Sequence, residues 1–193
     1  MIESRRVFVA TLAAGLARRF GSDKLAQPYW GGSVLDAALA PLDAFEWLGR
    51  VTVVQAGRAA PGAVIVNRAP ERGMGHSLAL AVHAAQDAGA DFLLVTLGDM
   101  PRLRAASLAC LLNACPDRED ALASLVVQGA LPGPPAVFGK LLFSQLRIEG
   151  GDKGARDLLR DRANRPVLVD LPADEAADID TPADLERLRG HDD

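Results

Sequence analysis

Residues 6–25 read RVFVATLAAGLARRFGSDKL, and this segment is the most informative one about the fold. Its first part, residues 6–12, is a short, apolar and β-branched run, which predicts a strand buried on both faces. Ala13-Ala14-Gly15 ends that strand, and residues 15–29 follow as a loop rich in glycine and positive charge. A buried strand that runs into such a loop indicates an open α/β sheet, where ligands bind beyond the carboxyl ends of the strands.

The rest of the chain alternates between strand and helix patterns, with no internal repeat or linker, so residues 1–193 form one predicted domain. Ser33 and Thr181 are the predicted N-caps of two helices, and Pro41 should kink or divide the first of them. Further strands are predicted at 51–55, 63–67, 91–97, 122–128, 136–138 and 167–171, and helices at 34–48, 77–88, 104–115, 140–146, 155–162 and 182–189. This order predicts a mostly parallel sheet with helices on both faces. Residues 136–138 follow a Pro- and Gly-rich loop, which predicts a short antiparallel strand near one end of the sheet.

Composition places the chain among globular proteins. Of its 193 residues, 49% are hydrophobic and 24% are charged. A net charge of −4 and a pI of about 5.4 argue against nucleic acid as a partner. No apolar run approaches the ~18 residues of a membrane-spanning helix, and residues 1–12 lack the features of a signal peptide. We therefore expect a cytoplasmic protein with no membrane partner, and two buried free thiols at Cys110 and Cys115.

Glycines, cations and carboxylates collect in four loops that follow predicted strands. They are Gly15, Arg18, Arg19, Gly21 and Lys24 after the first strand, Asn67, Gly73, Gly75 and Ser77 after the third, Asp99 after the fourth, and Asp178 and Asp180 after the last. If these strands are parallel, the four loops share one edge of the sheet. Glycine lets backbone N–H groups approach phosphate oxygens, Arg and Lys add charge-assisted hydrogen bonds, and aspartate suits Mg²⁺. The pattern favours a nucleoside triphosphate site.

Each of these features also has a purely structural interpretation. The first loop could be a solvated turn, Asp99 could be a turn residue before Pro101, and Asp178 and Asp180 could cap the last helix. The first loop lacks the Walker A spacing, and the chain contains neither G-x-S-x-G nor a complete dinucleotide fingerprint. The residues alone therefore leave both interpretations open.

Six motifs in order resemble one enzyme family over nearly the whole chain. Residues 12–25, LAAGLARRFGSDKL, are similar to LAAGxSxRFGxxKL, which opens the molybdenum-cofactor cytidylyltransferases within the wider MobA-like NTP transferase group. The others are GMGHS at 73–77, LGDMP at 97–101, GPPAVF at 133–138, GDKGAR at 151–156 and DIDTPADL at 178–185. The resemblance implies a three-layer, Rossmann-like nucleotidyltransferase fold.

The resemblance also implies a role for each matching position. Arg19, Lys24 and Asp99 would be the catalytic residues, the first two holding the triphosphate. Nucleotide-binding residues would be Leu12, Ala13, Ala14, Gly15, Asn67, Gly75 and Ser77, and the acceptor would lie against Pro135, Phe138, Gly151, Asp152, Gly154 and Arg156. Asp99, with Asp180 or Asp178, would bind Mg²⁺. LAAG accompanies CTP in this family and LAGG accompanies GTP, so CTP is the expected donor.

The implied reaction moves CMP from CTP onto the terminal phosphate of molybdopterin or molybdenum cofactor, with release of pyrophosphate. A client molybdoenzyme would be a further partner. Two departures from the family pattern bear on it. Ala17 replaces a serine of the first motif, and residues 31–35, GGSVL, lack the cation of the family's G-[KR]-P-L-L. The alternatives are transfer from GTP, another phosphorylated acceptor such as a sugar phosphate or methylerythritol phosphate, and a non-catalytic carrier of finished cofactor.

Overall fold

The computed structural model describes residues 1–17, 19–146 and 153–190, and the strand that opens the sequence is the centre of its main sheet. In chain order the elements are β1 Val7–Ala13, β2 Pro28–Tyr29, β3 Gly32–Ser33, α1 Val34–Leu39, β4 Gly49–Gln55, β5 Val64–Asn67, α2 Met74–Asp87, β6 Phe92–Leu97, α3 Ala105–Ala114, β7 Leu122–Val126, β8 Ala136–Gly139, α4 Phe143–Leu146, α5 Lys153–Arg160, β9 Val167–Asp170 and α6 Pro182–Arg189. All seven residues of β1 are buried, as its unbroken apolar pattern predicts.

The main sheet of the described residues has the strand order β5-β4-β1-β6-β8-β7-β9. Strands β5, β4, β1 and β6 are parallel neighbours, and β7 is parallel to β9. Only β8 runs against its two neighbours, β6 and β7. The predicted antiparallel strand is therefore confirmed, but it lies inside the sheet, with β7 and β9 beyond it, rather than at the end.

Helices cover both faces of the sheet and complete three layers. One face of β1, with Phe8, Ala10 and Leu12, packs under a core to which α2, α4 and α5 contribute. The other face, with Val7 and Val9, packs under α3. Near the carboxyl end of β1, Ala13 joins a third cluster with residues of α1 and α6. The predicted fold class, a mostly parallel sheet between two helical layers, is confirmed.

Local details differ from the sequence predictions at a few places. The helix predicted at 34–48 ends at Leu39 and continues as a 3₁₀ turn, Ala40–Ala44, because Pro41 lacks the N–H that an α-helix needs. The helix predicted to begin at residue 77 begins at Met74, directly after Gly73, whose φ of +84° is open to glycine. Cys115 is buried as expected, but Cys110 is exposed on α3.

Two predicted caps are present, and both form capping boxes. The Ser33 hydroxyl accepts from the Asp36 N–H at 3.1 Å, and the Thr181 hydroxyl accepts from the Asp184 N–H at 3.2 Å. The Asp184 carboxylate accepts from the Thr181 hydroxyl and N–H, which lower its pKa to about 2. Within the described residues, no helix combines the length and the apolar character needed to cross a bilayer.

Candidate nucleotide site

A cavity of about 630 Å³ opens at the carboxyl edge of β1 and β6. Its described lining residues come from the loops after four strands and from two helices. They are Leu12, Ala13, Ala14, Gly15, Leu16, Ala17, Arg19, Lys24, Leu25, Pro70, Glu71, Gly73, Met74, Ser77, Leu97, Asp99, Arg156, Asp178 and Asp180. Segments that are far apart in sequence thus meet at one edge, as the rule for parallel sheets predicts.

The first loop and the end of β6 meet at the floor of this cavity. The Gly98 N–H donates to the Leu12 carbonyl at 3.0 Å, so β6 stays beside β1 up to its last residue. A Cβ at position 98 would lie 3.0 Å from the Leu35 side chain and 3.1 Å from that of Ala13, closer than such contacts usually are. Glycine at position 98 therefore lets the residue that follows it, Asp99, stand directly beside the first loop.

Lys24 lies between two carboxylates on the cavity wall. Its Nζ donates to Asp99 Oδ2 at 2.8 Å and to Asp180 Oδ1 at 3.1 Å. Its side chain is only 11% exposed. Burial acts to lower the pKa of the Lys24 ammonium, but the charges and hydrogen bonds of Asp99 and Asp180 outweigh it and raise that pKa. The lysine is therefore a fixed positive charge inside the cavity.

Arg19 adds a second, more exposed cation to the cavity lining. Its Nη1 donates to Asp180 Oδ2 at 3.1 Å, and its side chain is 78% exposed. An ion pair this exposed contributes little to stability, because water screens it and the side chain loses entropy. Arg19 can leave Asp180 and turn toward an anionic ligand at small cost.

Two local structures hold Lys24 and its carboxylate partners in position. The Asp23 carboxylate accepts from the Leu25 N–H at 3.1 Å and so caps the 3₁₀ turn Lys24–Ala26 that presents the lysine. In the loop after β9, the Ile179 side chain is fully buried and its N–H donates to the Asp99 carbonyl at 3.0 Å. Ile179 thereby holds the flanking Asp178 and Asp180 beside Asp99.

The carboxylates on this wall have the chemistry of a hard-cation site. Partial burial, followed by the charges of Asp99 and Asp180, raises the pKa of Asp178, so the three groups interact through space. Among the residues that the structure describes, no three acidic, His or Cys side chains are gathered as a ready metal cage. A Mg²⁺ site does not require three such side chains, since Mg²⁺ commonly binds through one or two carboxylates together with water and substrate phosphates. Asp99 and Asp180, which already share one cation, fit such a partial site.

The helix α2 supplies the opposite wall through Ser77. Asn67, the last residue of β5, is fully buried and donates from Nδ2 to Ser77 Oγ at 2.9 Å. Its Oδ1 accepts from the Ala69 N–H at 2.8 Å. Asn67 therefore supports Ser77 from behind instead of lining the cavity itself. Gly75 is buried in the first turn of α2 and does not line the cavity either.

The residues expected to face the acceptor are divided by the structure. Arg156 of α5 lines the cavity, and Gly154 lies in the same helix, while Gly151 and Asp152 fall outside the described residues. Pro135 and Phe138 are buried and do not line the cavity, which corrects the sequence expectation. Phe138 is 0% exposed and pairs in the sheet with Leu93 and Leu122, so its ring is part of the core.

Sequence reasoning missed one buried cation at the same edge. Arg58, in the loop after β4, donates from Nε and Nη2 to the two carboxylate oxygens of Asp23, and from Nη1 to the Ala13 carbonyl. The signal was available: β4 is a parallel neighbour of β1, so the loop that follows it reaches the same edge. The four ligand-facing loops predicted from the sequence do not include Gly57 and Arg58.

The cavity lies at the carboxyl edge of a parallel sheet, the usual place for nucleotide binding in α/β proteins, and the cations Lys24 and Arg19 line it. The fold and the site therefore fit a nucleotide-binding α/β enzyme. The particular family follows from the sequence. Residues 9–167 match the model of the MobA-like NTP transferase domain, and the chain belongs to this family. It is therefore a nucleotidyltransferase.

Two relatives and one solved structure are similar to this chain over most of its length. The purine catabolism protein PucB of Bacillus subtilis is 32% identical over 201 residues, covering 92% of this chain and 93% of that protein. The phosphoenolpyruvate guanylyltransferase of Sphaerobacter thermophilus is 32% identical over 172 residues, covering 82% and 78%. Rv0371c of Mycobacterium tuberculosis H37Rv, solved in complex with manganese, has a TM-score of 0.76 and 23% identity, covering 96% of this chain and 98% of that one.

Proposed function

We propose that this protein transfers CMP from CTP to the terminal phosphate of a molybdopterin-type acceptor and releases pyrophosphate. One observation carries the proposal: a buried lysine, held by Asp99 and Asp180, stands beside the LAAG loop in a cavity large enough for a nucleotide. Such pockets, with few but well-placed polar groups, are the usual sites of small-molecule binding.

The nucleotide is proposed to lie along the first loop. Backbone groups of residues 12–15 contact the base and ribose, with Ser77 on the facing wall and Asn67 supporting Ser77 from behind. Lys24 and Arg19 bind the triphosphate, because both cations line the cavity on the Asp180 side. The LAAG sequence supports CTP as the donor.

Asp99 and Asp180 are the proposed ligands of Mg²⁺, with Asp178 as a further candidate. When bound, the metal supplies charge neutralisation for donor and acceptor phosphate oxygens. The same aspartates hold the Lys24 ammonium at 2.8 and 3.1 Å. The lysine is therefore proposed to contact phosphate oxygens beside these carboxylates.

In the proposed reaction, an oxygen of the acceptor phosphate attacks the α-phosphorus of CTP. A new phosphorus–oxygen bond forms, and the bond from the α-phosphorus to the β-phosphate oxygen breaks, so that pyrophosphate leaves with the electron pair. A phosphate monoester is already largely anionic at neutral pH, so no basic side chain has to remove a proton. Lys24 and Arg19 stabilise the negative charge that develops on pyrophosphate, and Arg156 on α5 positions the acceptor.

A second candidate, transfer of GMP to a smaller phosphorylated acceptor, is favoured by the similarity to a phosphoenolpyruvate guanylyltransferase. A carrier that binds finished cofactor without catalysis is the third. In all three cases a cytoplasmic location is proposed, which the free thiols of Cys110 and Cys115 support.

The test is pyrophosphate release from CTP, GTP, ATP and UTP, each with molybdopterin or phosphoenolpyruvate and with Mg²⁺ or Mn²⁺. The expected result is release that requires CTP, molybdopterin and the metal together, and that is lost in Lys24→Ala. Release with GTP and phosphoenolpyruvate would establish the second candidate instead. Tight binding of finished cofactor with no release from any pair would identify a carrier.

A further inference from the structure

We infer that Arg58 is a positioning residue, which holds the first loop in the shape that presents Lys24 to the triphosphate; the inference rests on the proposed function. Arg58 is not among the described residues that line the cavity, so it acts through the loop and not on the ligand. Its side chain is only 5% exposed, and an arginine is rarely buried to this extent unless its charge is compensated.

The backbone delivers Arg58 to the loop through a tight turn. Strand β4 ends at Gln55, and the Arg58 N–H donates to the Gln55 carbonyl at 3.2 Å. Gly57 between them has φ of +84°, a conformation that the third position of such a turn often requires. Because Val54 of β4 is paired with Ala13 of β1, this turn lies beside the start of the first loop.

The guanidinium joins the two ends of the first loop. Its Nε donates to Asp23 Oδ2 at 3.0 Å and its Nη2 donates to Asp23 Oδ1 at 2.7 Å, which is a two-pronged contact. Its Nη1 donates to the carbonyl of Ala13, where β1 ends. One buried side chain therefore ties Ala13, at the beginning of the loop, to Asp23, near its end.

Arg58 acts on Lys24 through Asp23, the residue that directly precedes the lysine. Asp23 accepts from both Arg58 and the Leu25 N–H, so the same carboxylate that receives the clamp also caps the 3₁₀ turn Lys24–Ala26. Lys24 follows Asp23 directly and places its ammonium 2.8 Å from Asp99. If Arg58 releases Asp23, the turn loses its fixed cap and Lys24 loses its fixed direction.

Arg6 provides the comparison, because it is also an arginine whose guanidinium is held by carboxylates. Arg6 donates from Nε to Asp91 at 2.9 Å and from Nη1 to Asp117 at 2.8 Å. It precedes β1, whereas the first loop follows β1, so it lies at the opposite edge of the sheet from the cavity. Arg6→Gln therefore removes an arginine with two carboxylate partners without touching the site.

The experiment compares Arg58→Gln with Arg6→Gln in the full chain, with Arg58→Lys as a milder variant that keeps the charge. We expect Arg58→Gln to raise KM for the nucleotide on the order of tenfold, with a smaller change in kcat, because binding must then order a loop that the guanidinium no longer holds. Asp23→Asn should raise KM similarly, and the double variant should be no worse than either single one, because both remove the same contact. Arg6→Gln should leave KM unchanged even if it lowers Tm.

Hydrogen exchange supplies a second measurement that needs no substrate. The amides of residues 19–27 should exchange on the order of tenfold faster in Arg58→Gln and at the wild-type rate in Arg6→Gln. Wild-type exchange together with wild-type KM in Arg58→Gln would overturn the inference, as would an equal rise of KM in Arg6→Gln. If the wild-type protein releases no pyrophosphate from any nucleotide, the proposed function fails, and the exchange measurement still decides the role of Arg58.

Discussion

Two aspartates flank β6 and make similar contacts, but only one of them stands at the cavity. Asp91 precedes the strand and accepts from Arg6 at 2.9 Å and from Lys140 at 3.1 Å. Asp99 follows the strand and accepts from Lys24 at 2.8 Å. The residue type and the kind of contact are the same, so the direction of the strand decides which carboxylate can meet a ligand.

We expect Asp99→Asn to lower kcat/KM at least on the order of a hundredfold, since one electrostatic contact to the reacting groups is worth about 3–4 kcal/mol. Circular dichroism should show an intact fold, because the carboxamide has the same shape. Asp91→Asn is the control and should keep its activity. Near-normal turnover in Asp99→Asn would remove this residue from the site.

Asp178 carries a charge that the folded protein disfavours. Partial burial and the neighbouring charges of Asp99 and Asp180 raise its pKa above the ordinary value of 3.8. Between that value and the raised one, the folded protein binds more protons than the unfolded chain, so the free energy of unfolding falls as pH rises through this window. At neutral pH the full destabilisation is present.

Asp178→Asn should therefore melt at a higher temperature than the wild type at neutral pH. The difference should disappear below pH 3.8, where the wild-type carboxyl is protonated in both states. Calorimetry at several pH values measures this, with the exposed Asp170→Asn as the control for changing a carboxylate to an amide. A difference that is constant with pH would mean that charge is not its cause.

At the scale of elements, β8 shows how a motif can be recognised and its role misjudged. The segment 133–138 resembles a family motif, and the sequence assigned Phe138 to the acceptor. In the sheet, β8 pairs with β6 and β7 at its two edges, and all four of its residues are buried because both faces of the sheet are packed here. The β8 residues therefore serve packing, and the cavity is lined by loops, by helix residues and by the carboxyl ends of β1 and β6.

Phe138→Ala should destabilise the protein by about 3–5 kcal/mol, because it leaves a cavity in a close-packed core. Urea denaturation measures the change. Leu141→Ala, at a position that is 59% exposed, is the control and should change stability by less than about 0.5 kcal/mol. The milder Phe138→Leu should keep the wild-type KM for the acceptor; a raised KM at unchanged stability would restore Phe138 to the acceptor site.

At the scale of the whole molecule, the site is assembled from segments that span most of the chain. Lys24 contacts Asp99 and Asp180, although these aspartates lie 75 and 156 residues from it in the sequence. The site therefore exists only in the folded state, and a ligand that binds it must stabilise that state.

Nucleotide at about a hundred times its Kd should raise the free energy of unfolding by about 2.7 kcal/mol. For a domain of this size that corresponds to a Tm increase of roughly 5–10 °C. We expect CTP with Mg²⁺ to give a larger shift than GTP, ATP or UTP, and Lys24→Ala to abolish it. An equal shift with all four nucleotides, or with inorganic tripolyphosphate alone, would contradict selection of the base.

The sequence was enough to predict the alternation of strands and helices, the two helix caps and the edge of the sheet at which the glycine, cation and carboxylate loops meet. These follow from local patterns: apolar runs, Ser or Thr before a helix, and glycine after a strand. The family motifs also predicted Lys24, Asp99 and Asp180 as site residues, because each of them lies within a recognisable motif; their roles remain predictions.

Only the tertiary structure decided which side chains meet. It put β8 inside the sheet, Phe138 in the core and Asn67 behind Ser77, and it brought Arg58 to Asp23. Strand order and side-chain partners depend on contacts between residues far apart in the chain, and no local pattern in the sequence encodes those contacts.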